Sequence, residues 1–162
     1  MSVRLRFVRG TGWSSKAIEW FSAGPFSHVD AVGTDGLYGA RSDAIGGKPP
    51  GVQWRPFDYE KVDGSLTIEL QATFQQETAF WLFLRSQEGK PYDAVGIWGF
   101  ATGRDWREPG EWFCSELQAA ALEEAKLLNP LYAPASKVTP SALCVILSAV
   151  GGRVVEKTGI VP

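Results

Sequence analysis

The sequence predicts an α+β domain, an antiparallel sheet of about five strands packed against a helix that opens on Cys114. Three observations predict it. Period-two alternation and short apolar runs fall mostly before residue 72, and Asp35-Gly36 joins two of those runs as a tight hairpin turn does. After residue 75 the apolar spacing changes to steps of three and four, the period of a helix. At 162 residues the chain has the length of a single domain, taken as 1–162.

Bulk composition narrows the function classes. Hydrophobic residues make up 44% and charged residues 21%, with a formal charge of −2, which fits a folded globular protein and excludes disorder. Lys plus Arg (16) do not outnumber Asp plus Glu (18), which argues against a nucleic-acid partner, since phosphate neutralisation needs a cationic excess. The stretch from Met1 to Arg9 alternates apolar and basic residues and lacks the apolar core of a signal peptide. The longest apolar run, Ala142 to Val150, falls short of the ~20 residues of a membrane span. The expectation is a soluble, cytoplasmic protein with no transmembrane segment. Cys114 and Cys144 are read as free thiols, and one histidine with no close cysteine pair predicts no metal and no cofactor.

Element by element, the first strand ends at Gly10-Thr11-Gly12, and Ser14 or Ser15 can cap a short helix through Phe21. Phe26–Val32 and Leu37–Arg41 are the two hairpin strands, and Ala44–Gly51 is a Gly/Pro-rich loop. Val52–Pro56 is a strand stopped by its proline, and Ser65–Leu70 alternates strictly. A helix follows over Gln75–Glu88, with Phe80, Phe83 and Leu84 as its core stripe and Gly89 as its stop. Lys90–Gly110 is a long aromatic-rich loop with some helix around Ala94–Phe100. In the Cys114 helix, Leu117, Ala121, Ala125 and Leu128 form the apolar face, and Glu116, Gln118, Glu123, Glu124 and Lys126 the wet one. Thr139-Pro140 opens a last helix to Val150, holding Cys144 in the core, and Arg153–Glu156 is a candidate final strand.

Pro109-Gly110 forbids helix just upstream, so Cys114 falls at a helix start, where unpaired N–H groups and the dipole favour a thiolate. The plain alternative is a small buried hydrophobe. A thiol nucleophile needs a base that can hold its proton as imidazolium, and His28 is the one available histidine.

Phe26-Ser27-His28-Val29, Gly89-Lys90-Pro91-Tyr92-Asp93 and Trp112-Phe113-Cys114-Ser115-Glu116-Leu117 resemble the three signature regions of the circularly permuted NlpC-like, papain-fold hydrolases. This is the YiiX-type branch, to which lecithin:retinol acyltransferase-like enzymes are related. The histidine-first order is the permuted one, and the resemblance spans roughly residues 25 to 128. It implies a permuted papain-like fold, with Cys114 as nucleophile, His28 as base and a polar residue on the strand after His28 to orient the imidazole. That strand offers no histidine or glutamate, so the hairpin register selects the candidate. With Asp35-Gly36 at the centre of a type I′ turn, His28 opposes Asp43; with the turn centred one residue earlier, it opposes Arg41, which cannot accept the imidazole N–H. Tyr92 matches the family tyrosine and, with Ser115, is a candidate for the oxyanion or substrate side, while Trp98, Trp106 and Trp112 are candidate groove walls.

Three functions stay open on this reading. The first is hydrolysis of amide bonds in a small peptide or related substrate, peptidoglycan stem peptides being the family's commonest class. Acyl transfer or ester cleavage on a lipid uses the same Cys-His chemistry. The third is an inactive binding or phage-structural module. A wall substrate would require phage association or release by lysis to reach it.

Overall fold

Alternation along the first strand sets the core. The computed structural model describes residues 1–10, 24–93, 110–129 and 138–160. In strand β1 (Ser2–Gly10), Val3, Leu5 and Phe7 are buried while Arg4 lies exposed, as period two requires. Its neighbours are β2 (His28–Val32) on one side and β5 (Val62–Gln71) on the other. β3 (Leu37–Arg41) and β4 (Gly51–Arg55) continue the sheet beyond β2. β6 (Arg153–Thr158) closes the far edge on β5. The order is β4-β3-β2-β1-β5-β6 with every neighbouring pair antiparallel, so the final strand joins the sheet and brings its count to six rather than about five. β6 is exposed along its length, and its Arg153, Glu156 and Lys157 give the open edge the charge that discourages further pairing.

Three helices are described. In α1 (Phe74–Ser86), Thr73 caps the start: its side chain accepts from the Gln76 N–H, and the Gln76 side chain accepts from the Thr73 N–H at 3.0 Å, a capping box. Phe80 and Leu84 are buried, whereas Phe83 is half-buried against Trp112, with ring centroids 5.9 Å apart. α3 (Pro140–Ala149) starts where Thr139 accepts from the Ala142 N–H and proline occupies the first turn; Leu143, Cys144 and Leu147 face the core. The helix expected near residues 14–21, the one expected near 94–100, and Trp98 and Trp106 lie outside the described residues.

The central helix departs from its predicted two faces. α2 (Cys114–Glu124) buries Leu117, Ala121 and Leu122, and it also buries Ser115, Glu116 and Gln118, because it lies against β2 and β3 with α1 and α3 beside it. Gln118 donates from Nε2 to the Tyr38 carbonyl of β3 at 2.9 Å, which ties the helix to the sheet. α2 also ends earlier than predicted: Lys126 takes a left-handed φ of 55°, and the N–H groups of Leu127 and Leu128 turn back to the Leu122 carbonyl. Among the described residues no helix is long and apolar enough to cross a membrane.

This placement of α1 sets a pair of outcomes for urea unfolding. Phe80→Ala, at a fully buried position, should cost about 3–5 kcal/mol. Leu82→Ala, 63% exposed two residues on, should stay within about 0.5 kcal/mol. Equal midpoints for the two would contradict the assignment of helix faces.

Candidate active site

The hairpin that presents His28 reverses one residue earlier than Asp35-Gly36. The Gly33 N–H donates to the Gly36 carbonyl at 2.8 Å, leaving Thr34 and Asp35 at the tip, and the ladder pairs Val32 with Leu37 and Ala31 with Tyr38. Continued outward, this register sets Gly39 across from Asp30 and Arg41, not Asp43, across from His28. Asp43 therefore does not orient the histidine. It lies past the end of β3, exposed, where it accepts from Arg41 Nε at 2.8 Å and Nη2 at 3.2 Å.

The partner of His28 is on its own strand. Side chains two apart on a strand share a face, and His28 Nε2 donates to Asp30 Oδ1 at 2.9 Å. Asp30 Oδ2 accepts from the Tyr59 hydroxyl at 2.7 Å, so both carboxylate oxygens are bound in a site that is 2% exposed. Gly39 makes room for this: a Cβ there would clash with Asp30 Oδ1, so at this register position only glycine leaves space for the carboxylate as it is placed. Arg55, itself buried, lies under Tyr59 with its guanidinium carbon 5.9 Å from the ring centre, and donates to the carbonyls of Gly39 and Pro49 at 3.2 and 3.1 Å.

From the first turn of α2 the Cys114 side chain comes close enough to that of His28 for the two to interact electrostatically. With Nε2 committed to Asp30, Nδ1 is the nitrogen left for the sulfur. Phe113, at the N-cap, offers no side-chain oxygen, so the helix start beside the thiol is not capped by that residue. Burial pushes the His28 pKa down, yet the Asp30 charge, the Cys114 charge and the hydrogen bond to Asp30 outweigh it, and the value is pushed up to about 10. Burial pushes Asp30 up, but the His28 charge, the bonds from His28 and Tyr59, and the Arg41 charge hold it below the usual carboxylate range.

A parallel bridge between Tyr92 and Trp112 lays the Gly89–Asp93 segment beside the approach to Cys114; the Asp93 N–H donates to the Trp112 carbonyl and the Trp112 N–H to that of Pro91, both at 3.1 Å. Tyr92 packs on Phe113 with ring centroids 5.8 Å apart and planes tilted by 52°, and burial followed by the Cys114 charge raises its pKa, so a neutral phenol stands near the sulfur. Ser115 is turned away: its buried hydroxyl donates to the Val138 carbonyl at 2.5 Å and anchors the approach to α3, so it has no proton left for a substrate oxygen. Trp112 donates from Nε1 to Gln87 at 3.0 Å and so belongs to the packing on α1. Cys144 is buried in α3, and that burial raises its pKa. Among the described residues no three or more His, Cys, Asp or Glu side chains are grouped to hold a metal ion.

Asp30, Gly39 and Tyr59 are functional candidates that sequence reasoning missed, and Arg41, weighed there only as the cross-strand rival of Asp43, bonds Tyr59 instead of His28. For Asp30 a signal existed, because His-x-Asp within one strand places both groups on one face. Tyr59 comes from the loop between β4 and β5, and no spacing pointed to it.

The fold has a solved counterpart. This chain is similar to the crystal structure of the metalloprotein YiiX from Escherichia coli O157:H7, DUF1105, at a TM-score of 0.57 and 18% identity, over 79% of this chain and 67% of that one. The likeness shows a YiiX-like α+β fold. No protein-family model and no curated protein matches the sequence.

Two outcomes follow from the buried pair. Gly39→Ala should destabilise the protein by about 1–3 kcal/mol, because the new methyl expels a hydrogen-bonded carboxylate, and should cost far less when Asp30 is already alanine. A purely additive double-mutant cycle would refute that packing. Asp30, held below its ordinary 3.8, contributes stability above that pH, and His28, raised from 6.5 to about 10, contributes fully below 6.5 and loses its contribution as pH rises through 10. The stability advantage of wild type over Asp30→Asn should therefore be greatest between pH 4 and 6.5 and shrink towards pH 10. An advantage that grows above pH 8 in equilibrium unfolding would contradict this.

Proposed function

We propose that this chain is a cysteine hydrolase of the circularly permuted NlpC-like, papain-fold kind, cleaving an amide through a thioester on Cys114. The observation that carries the reading is the buried line Cys114–His28–Asp30, a thiol beside an imidazole whose far nitrogen is held by a carboxylate. The YiiX-like fold is consistent with it.

In this mechanism Cys114 Sγ, its proton held by His28, attacks the carbonyl carbon of the scissile amide. The oxyanion that forms lies near the N–H groups at the start of α2, with the Tyr92 hydroxyl as a second donor. His28 passes its proton to the leaving amine as the C–N bond breaks, which leaves the acyl group on sulfur. Water, giving its proton to His28, then attacks the thioester, releases the acid and restores the thiol. Asp30 keeps Nε2 protonated throughout, so that Nδ1 carries the traffic to and from sulfur. YiiX is described as a metalloprotein, but a metal has no place in this reading, because both Asp30 oxygens are already engaged and the described residues bring no three such ligands together.

Mass spectrometry after exposure to a panel of peptide amides, lipid esters and thioesters tests the proposal. A single acyl adduct on Cys114 that decays with amide turnover is the expected result; adducts from lipid esters alone would redirect the reading to acyl transfer, and no adduct with any substrate would favour a binding module. Cys114→Ala and His28→Ala should each abolish turnover, with the double variant no worse than either single one. Iodoacetamide should label Cys114 faster than Cys144, and His28→Ala should remove the difference. Full activity in either alanine variant would dismiss the pair.

A further inference from the structure

The hydrogen bonds behind His28 run further than a three-residue site needs, and each has a direction that chemistry dictates. Arg41 Nη1 donates to the Tyr59 oxygen at 3.3 Å, and a guanidinium can only donate. The Tyr59 oxygen is therefore an acceptor on that side, and its own proton goes to Asp30 Oδ2 at 2.7 Å. Asp30, ionised, can only accept, so the proton between its Oδ1 and His28 belongs to Nε2. Arg41 is in turn fixed by Asp43 and by Glu60, and its guanidinium carbon lies 5.3 Å from the centre of the Tyr59 ring.

We propose that Tyr59 is a positioning residue of this site: its hydroxyl holds one oxygen of Asp30 so that the other faces His28, and Arg41 fixes the direction in which that hydroxyl points. The inference rests on reading Cys114 and His28 as nucleophile and base. An aspartate with a single partner can rotate about its carboxylate bond, whereas bonds of 2.9 and 2.7 Å on separate oxygens fix the plane of the group. Tyr59 suits this task because it stays neutral: burial, then the charges of Asp30 and Glu60, raise its pKa well above the ordinary tyrosine value. The groups facing Asp30 are His28 on its own strand, Tyr59 from the β4–β5 loop, Arg41 at the end of β3 and Arg55 at the end of β4, with Asp43 and Glu60 one contact further out. Asp43 thus enters the site indirectly, as an anchor of Arg41.

Tyr59→Phe keeps the ring and deletes only the hydroxyl. In the full-length protein labelled with ¹³C at aspartate carboxyl carbons, the Asp30 midpoint should move up by roughly one pH unit, because the lost bond had favoured the charged form. On a substrate found with the panel, kcat should fall about tenfold with KM within about twofold. Arg41→Met, which leaves Tyr59 in place, should move the midpoint the same way by less, and it carries the test if the phenylalanine variant fails to fold. An unmoved Asp30 midpoint in the folded variants would overturn the positioning role, whatever the rate does. A shifted midpoint in a protein that turns over no substrate would uphold the positioning of Asp30 and remove the hydrolase reading instead.

Discussion

A carboxylate with both oxygens bound, in a site closed to water, is the constraint from which the rest of this structure can be argued. An ionised aspartate at 2% exposure is stable only with strong partners, and Asp30 has an imidazole on one oxygen and a phenol on the other. The surrounding chain is arranged to keep that geometry. Gly39 yields its side-chain space, the turn at Thr34–Asp35 sets the register that brings Gly39 there, and Arg55 secures the β4 side through its bonds to the Gly39 and Pro49 carbonyls. A second glycine serves the same region: Gly51, at φ 101°, leaves room for the Lys90 carbonyl, which accepts from the Val52 N–H at 2.9 Å and starts the Tyr92 segment on its path towards Cys114.

Where periodicity spoke clearly, the fold was legible. Alternation located β1 and β5, the proline at 56 ended β4, and Thr139-Pro140 opened α3 where capping chemistry placed it. The misreadings have physical causes. A turn centred on Thr34-Asp35 instead of Asp35-Gly36 is a displacement of one residue, and in an antiparallel pair it moves each cross-strand partner by two, which exchanged Asp43 for Arg41. The wet face assigned to α2 holds at Glu124 and Lys126, which are exposed, but not at Glu116 and Gln118, which the surrounding elements enclose; Gln118 is polar because it bonds the sheet rather than water.

The site itself was legible in part. Cys114 and His28 stood out by residue type and local context, and the fold brings them together although β3, β4, β5 and α1 separate them in sequence. Asp30 was legible by period two, since it shares a face of β2 with His28. Tyr59 was beyond sequence reasoning, since its role depends on where a loop settles, and Arg41, placed opposite His28 by the alternative register, acquires its role only through that same loop. The hydroxyl of Ser115 illustrates the converse: its place beside the cysteine suggested a role towards substrate, and packing assigned it to the Val138 carbonyl.

Nitrogen-15 NMR of ring-labelled His28 tests the central claim most directly, because this is the single histidine of the chain and its signals need no assignment. With Asp30 holding Nε2 and Cys114 facing the other nitrogen, both ring nitrogens should remain protonated as pH passes 6.5 and should lose a proton only near pH 10. A midpoint close to 6.5, the value of a histidine without such partners, would contradict the account.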